Sequence, residues 1–306
     1  MTRALAGALG LVVALVLGGC GGDDEPDPAP AKQPLRIGTK NFTESDILGE
    51  LYKQALEARG IPVELQSQVG SLEVTNQALR DGSLDMYPEY VGVLLSEVHG
   101  VVDRPPTAQA AYELARKLEE KSRFTLLDAT PASNENALAV KKSFGRRKRI
   151  ASIADLEQRL PRATLMVAPE FLGRFEGSKG LREEYGLTKL RTRTWAAAGE
   201  QYPLLDSGKV DVALVFTTDS QLASGDYTVL EDPKGLFATN HVVPRVSQKT
   251  QKLYGPQLAS ALNGVSALLT TPVLRALNAQ VSIDKRTPRE VAKEFLLANN
   301  LTRAVR

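Results

Sequence analysis

The apolar positions of this chain change period several times, and each change marks an element. Leu35–Gly38 reads as a first strand. Ile47, Leu48, Leu51, Ala55 and Leu56 then recur at helical spacing, which predicts a helix over Glu44–Arg59 with Thr43 as its cap and Gly60 as its stop. Val63–Val69 reads as a second strand, Gly70-Ser71 as the start of the next helix, and Glu73–Arg80 as that helix. After a turn at Asp81-Gly82, Ser83–Tyr87 alternates as a third strand, and Pro88, which has no N–H for a ladder, is expected to end it. Alternating strands and helices predict an α/β fold with a parallel sheet. Tyr90 then falls just past a strand's carboxyl end, where open α/β sheets bind ligands.

The same pattern returns in Leu205–Phe216. Gly82 precedes Asp85 by three positions and Tyr90 follows it by five; Gly208 and Phe216 keep the same offsets from Asp211. Small or hydroxylated residues follow each aromatic, Gly92 in one copy and Thr217-Thr218 in the other. One reading is a pair of half-sites, each offering a ring to a shared cleft. The other is a helix–turn–strand unit recurring by chance, its rings in the core.

The chain's first residues carry one positive charge, Arg3, then an apolar run from Ala4 to Leu17 ending in Leu17-Gly18-Gly19-Cys20. The run is shorter than a membrane span and has the flanks of a signal peptide, expected over residues 1–19. Leu, two small residues and Cys resemble a bacterial lipobox. Cys20 is the only cysteine, so an intrachain disulfide is impossible and lipidation is its natural use. Residues 20–34 are acidic and Pro-rich, and read as a tether holding the body off a membrane surface. The formal net charge of +2 argues against a dedicated nucleic-acid binder. His99 and His241 are the only histidines, and the chain shows no metal-ligand cluster, phosphate loop or nucleophile elbow. No metal or cofactor is expected.

Gly38-Thr39-Lys40-Asn41-Phe42-Thr43-Glu44, then Ala78-Leu79, Gly82 and Asp85-Met86-Tyr87-Pro88-Glu89-Tyr90, then Thr217-Thr218-Asp219-Ser220, resemble the substrate-binding proteins of osmoprotectant ABC importers, which take up glycine betaine, choline, carnitine and related quaternary amines. Leu230–Gly235 and the terminal Arg289–Ala292 and Phe295-Leu296 extend the resemblance over essentially all of residues 35–306. It implies a two-lobed, type II periplasmic-binding-protein fold. Lobe 1 would be 35–136 plus 241–306, lobe 2 would be 137–240, and the hinge would consist of two chain crossings, Ser133–Val140 and Ala238–Pro244.

The resemblance also implies a site, in which aromatic rings hold a trimethylammonium head and basic side chains hold a carboxylate. Tyr90 matches a cage tyrosine. Phe216 stands where relatives carry another, Lys40 matches the first-loop lysine, and Arg174 matches the carboxylate-binding arginine. Before the resemblance is used, Lys40 reads equally as a solvated loop lysine. Asn136 and Asn240 stand at or near positions of further cage tyrosines, and Val93 replaces a carboxylate-binding threonine. The expected cage is thus thinned to about two rings, suiting a substituted betaine or amino-acid derivative that hydrogen-bonds to Asn136 and Asn240. Asn41, Tyr87 and Thr217 are secondary candidates, and Tyr87 or Trp195 are the rings that would complete a fuller cage.

The expected protein is therefore an extracytoplasmic, lipid-anchored monomer that delivers a small zwitterion to the transmembrane subunit of an ABC permease. Alternatives are a sensor or surface protein of the same fold, or a binder of a non-betaine amino-acid derivative. An enzyme would have to use Glu44, Asp46 and Glu89, which lack a nucleophile–base partner; no catalysis is expected. Lys141–Arg149 reads as a solvated basic loop, Trp195 as core and His241 as structural. Thr271-Pro272 and Thr287-Pro288 look like helix starts.

Overall fold

The computed structural model describes residues 33–302 except 104, 197, 198 and 238. The expected signal peptide, Cys20 and nearly all of the expected tether lie outside the described residues. Among the described residues ten strands follow in chain order: β1 (Leu35–Lys40), β2 (Val63–Gly70), β3 (Met86–Tyr90), β4 (Phe124–Leu126), β5 (Asn136–Lys141), β6 (Thr164–Val167), β7 (Arg191–Thr194), β8 (Val212–Phe216), β9 (Tyr227–Val229) and β10 (Val242–Ser247). They form two five-stranded sheets, ordered β2-β1-β3-β10-β4 and β7-β6-β8-β5-β9. Each sheet is the middle of one lobe. The first takes strands from both ends of the body, so the chain crosses between lobes twice.

In the first lobe, β1 runs parallel to β2 and β3, as strand–helix alternation requires. The late strand β10 enters antiparallel between β3 and β4 and makes the sheet mixed. The helix Thr43–Glu57 buries Ile47, Leu48, Leu51, Ala55 and Leu56 completely, the stripe its spacing predicts. Thr43 is not its cap: Phe42 holds the capping position without a side-chain bond, and Thr43 is the first helical residue. In the second lobe, Leu138, Val140, Leu165, Val167, Trp195, Val212 and Leu214 share one core.

Strand β3 runs through Pro88 instead of stopping at it. Pro88 lies opposite Pro244 of β10. The bond from Val91 N–H to His241 O, 3.0 Å, marks Tyr90/Val242 as a pair that exchanges no hydrogen bonds, and the alternation of an antiparallel ladder gives Pro88/Pro244 the same character. Between β3 and β10 neither proline is asked for an N–H, so Tyr90 becomes the last residue of the strand and not a loop residue.

The repeated unit is the same device in both lobes. Gly82 and Gly208 take left-handed φ of 80° and 69°. Asp85 accepts from Arg36 N–H at 2.9 Å while its own N–H donates to Arg36 O; Asp211 accepts from Thr164 N–H at 2.8 Å while its N–H donates to Thr164 O. Each aspartate thereby ties the start of its strand, β3 or β8, to the neighbouring parallel strand and fixes the register at which the aromatic five residues later emerges.

The two crossings run side by side. Ser133 and His241 form an isolated antiparallel bridge, Asn134 N–H donates to Asn240 O at 3.0 Å, and Asn240 N–H donates to Ser133 Oγ at 2.7 Å. His241 Nδ1 lies 2.8 and 3.1 Å from the carbonyls of Thr130 and Ala132, so that nitrogen carries the proton and the residue is structural. The basic run is not a loop: Lys142–Lys148 is a short helix, with Lys142, Arg146, Arg147 and Lys148 exposed along it. The later Thr-Pro pairs do begin helices, Thr271–Ser282 capped by Thr270 and Pro288–Ala298 capped by Thr287 with Glu290 completing a capping box.

The first lobe also buries a charge network. Arg245 on β10 is wholly buried, with Nε 2.6 Å from Glu119 Oε2 and Nη1 2.5 Å from Tyr87 OH, and its guanidinium lies 4.5 Å from the Phe124 ring centroid. Glu119, itself fully buried, also meets His99 Nε2 at 2.7 Å. Removing one partner strands the other charge in the core. Glu119→Ala should therefore lower the unfolding free energy by about 3–5 kcal/mol. Urea denaturation checks this, and a loss below about 1 kcal/mol would show that the arginine finds water.

Candidate functional site

A cavity of about 620 Å³ opens between the lobes. Its first-lobe wall comes from the segment joining β1 to the following helix (Lys40, Phe42, Thr43, Glu44), the end of β3 and the helical turn after it (Tyr90, Val93), the crossings (Asn134, Asn240) and the helix Thr271–Ser282 (Asn278, Ser282). Its second-lobe wall comes from Gly199, Gln201 and Tyr202 and from Phe216 through Gln221, without Thr217. Both aromatics of the repeated unit reach it.

Local bonds fix the first wall. Ser45 Oγ accepts from Lys40 N–H at 2.8 Å, and Thr39 Oγ1 donates to Asp46 at 2.5 Å, so the first helical turn is stitched to the end of β1. Glu44 lies in that turn, where the helix dipole favours a negative charge. Its Oε1 accepts from Tyr90 OH at 2.7 Å and Asn134 Nδ2 at 3.0 Å, and its Oε2 from Asn278 Nδ2 at 2.7 Å. Burial, and then the charge of Glu44, hold the Tyr90 phenol far above its ordinary value, so it remains a neutral donor.

Among the described residues, four rings line the cavity, Phe42, Tyr90, Tyr202 and Phe216, where about two were expected. Phe42 and Tyr90 stand 6.3 Å apart between centroids. Phe42 and Phe216 are 37 % and 38 % exposed, which leaves their faces open to a ligand. Tyr202 OH donates to Asp219 Oδ2 at 2.7 Å, and Phe216 N–H donates to the same oxygen at 3.1 Å. With Glu44, Asp219 makes the cavity suited to a cation.

Of the residues expected from sequence, Lys40, Tyr90, Phe216 and Asn240 line the cavity; Asn136, Arg174, Asn41, Tyr87 and Thr217 do not. Lys40 is not free for a carboxylate. Its ammonium is buried against Glu89 and lies 4.7 Å from the Tyr90 ring centroid. Asn240 Oδ1 accepts from Val93 N–H at 3.2 Å. Asn136 opens β5 opposite Phe216, and the crossing sends Asn134 to the cavity instead. Arg174 is exposed on the second lobe. Asn41 is exposed, and its N–H donates to Gly70 O. Tyr87 and Tyr90 project from opposite faces of β3, and Tyr87 packs with Leu79, Leu84 and Phe124 beneath Arg245. Thr217 Oγ1 donates to Ser133 O at 2.6 Å and holds a crossing. Trp195 is core. Sequence reading gave no cavity role to Phe42, Asn134, Tyr202, Asp219 or Asn278. Phe42, Asn134 and Asp219 lie within or beside the quoted motifs and were the detectable ones; Asn278 reads only as a polar position of a helix.

Asp219 has a pH consequence. Burial above all, reinforced by the charge of Glu44 and opposed by Tyr202, by the Phe216 N–H and by Arg275, raises its carboxyl above the ordinary value. Its charge is therefore lost at a higher pH than that of an unperturbed aspartate. The cavity's attraction for a permanent cation should weaken as pH falls through that range, and Asp219→Asn should remove that part of the decline. Calorimetric titrations across pH check this; an unchanged profile in the variant would assign the dependence elsewhere.

The model of the family described as the substrate binding domain of the ABC-type glycine betaine transport system matches residues 33–298. The glycine-betaine-binding protein of Pseudomonas aeruginosa is 33% identical over 279 residues, 88% of this chain and 89% of that one. The glycine betaine-binding protein YehZ of Escherichia coli is 27% identical over 289 residues, 90% and 94% of the two chains. The ligand-free structure of YehZ superposes with a TM-score of 0.77 over 88% of this chain and 99% of that one. A solved glycine betaine/carnitine/choline ABC transporter structure, 22% identical, gives 0.80 over 88% and 99% and shares the two-lobed type II fold. The chain belongs to the family of substrate-binding domains of ABC-type glycine betaine transport systems, and it is the extracytoplasmic solute-binding component of an ABC importer.

Proposed function

We propose that the cavity captures the cationic head of a small betaine- or choline-like amine and presents it to the transmembrane subunit of an ABC permease. One observation carries the reading: four aromatic rings and the carboxylates Glu44 and Asp219 surround a single interlobe cavity. A quaternary ammonium offers no N–H, and ring faces attract it by about 0.5–2 kcal/mol each. The relatives named for glycine betaine support the same ligand class. Closure of the lobes about the paired crossings would complete the enclosure. On closure, Arg174, which is exposed on the second lobe, would supply the cation for a ligand carboxylate, since Lys40 is engaged by Glu89.

Calorimetry with glycine betaine, choline and carnitine tests this. At least one should bind saturably, and Tyr90→Ala should weaken it about tenfold or more. Arg174→Ala should weaken glycine betaine and leave choline near the wild-type value. No saturable binding of any of the three would sink the reading.

The motif ending in Cys20 supports a lipid anchor, followed by residues 21–34 as the tether. Cys20→Ala should move the protein from the membrane to the soluble fraction of expressing cells. A variant that stays with the membrane would refute the anchor.

A further inference from the structure

The basic helix Lys142–Lys148 takes no part in the cavity. It follows β5 directly. β5 begins at Asn136, opposite the cavity residue Phe216, and its six residues carry the chain about 17 Å to the outer end of the second lobe. Two contacts seat the helix there. Phe144 packs on the second-lobe core, and Gly145 lies so near β5 that a Cβ on it would come within 2.9 Å of Val140 Cγ2. Lys142, Arg146, Arg147, Lys148 and Arg149 are all left exposed.

Few of these charges are answered within the protein. Asp206 meets Lys141 at 3.3 Å, and the Asp226 carbonyl accepts from Lys142 N–H at 2.7 Å, so both aspartates meet the run at its start. Arg147 lies over the Phe144 ring, 5.5 Å from its centroid. Among the described residues, the side chains of Arg146, Lys148 and Arg149 have no hydrogen-bond or ion-pair partner. A helix C-terminus carries roughly half a negative charge, which one cation would answer. Arg149 joins the cluster from a left-handed φ of 56°, at a place where glycine is the ordinary residue.

We infer that this helix is a docking surface for a membrane that bears anionic phospholipids. Basic clusters of this size are drawn to such headgroups, and the attraction acts within about 10 Å. The chain outside the structure supplies the proximity. Residues 21–34 join β1 at Leu35 and span at most about 50 Å. A contact too weak to hold a free protein becomes effective when a tether raises the local concentration of the surface. β1 meets the cavity at its other end, Lys40, so the tether joins the first lobe away from the cavity, as the basic helix lies away from it in the second. Docking therefore takes no residue from the cavity wall. The inference goes beyond the amine reading and draws on the anchor only for proximity.

The chain from Gly21 onward tests it without lipid, since it keeps every described residue and Pro34–Arg306 is one compact unit. The probes are vesicles of phosphatidylcholine alone or with about one third phosphatidylglycerol, read by co-sedimentation. At about 20 mM salt the chain should partition onto the anionic vesicles about tenfold or more above the neutral ones, and at about 500 mM salt the difference should vanish. R146E/R147E/K148E should lower that partition about tenfold or more. K121E/K249E/K252E makes the same change of charge at exposed lysines of the first lobe and should stay at least about threefold above the helix variant. Thermal melts confirm that both variants are folded. Equal partition onto the two kinds of vesicle would overturn the inference and leave the helix to an acidic protein partner. Equal losses in the two variants would overturn it in favour of net charge alone. Neither result touches the anchor, which Cys20→Ala tests separately.

Discussion

The carboxylate of Glu44 is the interaction on which the rest of the site depends. It sits in the first turn of a helix whose apolar stripe is locked into the core, so its position is set by packing that has no part in binding. From there it holds the hydroxyl of a strand-end tyrosine, an amide on a crossing and an amide on a late helix. Asn278 in turn donates to Thr218 O of the second lobe, and Arg275 donates to Thr217 O at 2.7 Å, so the same helix links both lobes. One buried charge thus coordinates segments far apart in sequence, and it is tolerable only because three donors satisfy it.

Lys40 and Glu89 show a second use of buried charge. The ammonium over the Tyr90 face occupies the kind of position that a ligand cation would seek. Its carboxylate partner neutralises it, so Lys40 behaves as part of the wall. Phe42 and Phe216 are the rings of the cavity wall that keep the most surface exposed.

The fold was largely legible in sequence because its signals are local. The helix stripe at Ile47, Leu48, Leu51, Ala55 and Leu56 and the recurring Gly-x-x-Asp unit each identify an element from neighbours a few residues away. Errors arose where the deciding partner was distant. Pro88 reads as a strand end until Pro244 is seen opposite it, more than a hundred residues later. The site divided in the same way. Tyr90 and Phe216 follow from the repeat. Asn278 reaches the cavity only through tertiary packing, and Lys40 loses its expected partner to a glutamate on another strand. Phe42 and Tyr202 enter from a capping position and a short helix, where no pattern marks a ring as facing a cleft.

The repeated unit has a consequence for how such a protein changes over time. Each lobe sets its own ring with its own aspartate latch, and the two latches share no atoms. A substitution at Phe216 reshapes one wall without disturbing the ladder that carries Tyr90. Ligand preference can therefore drift one wall at a time through intermediates that still fold, while the architecture stays constant.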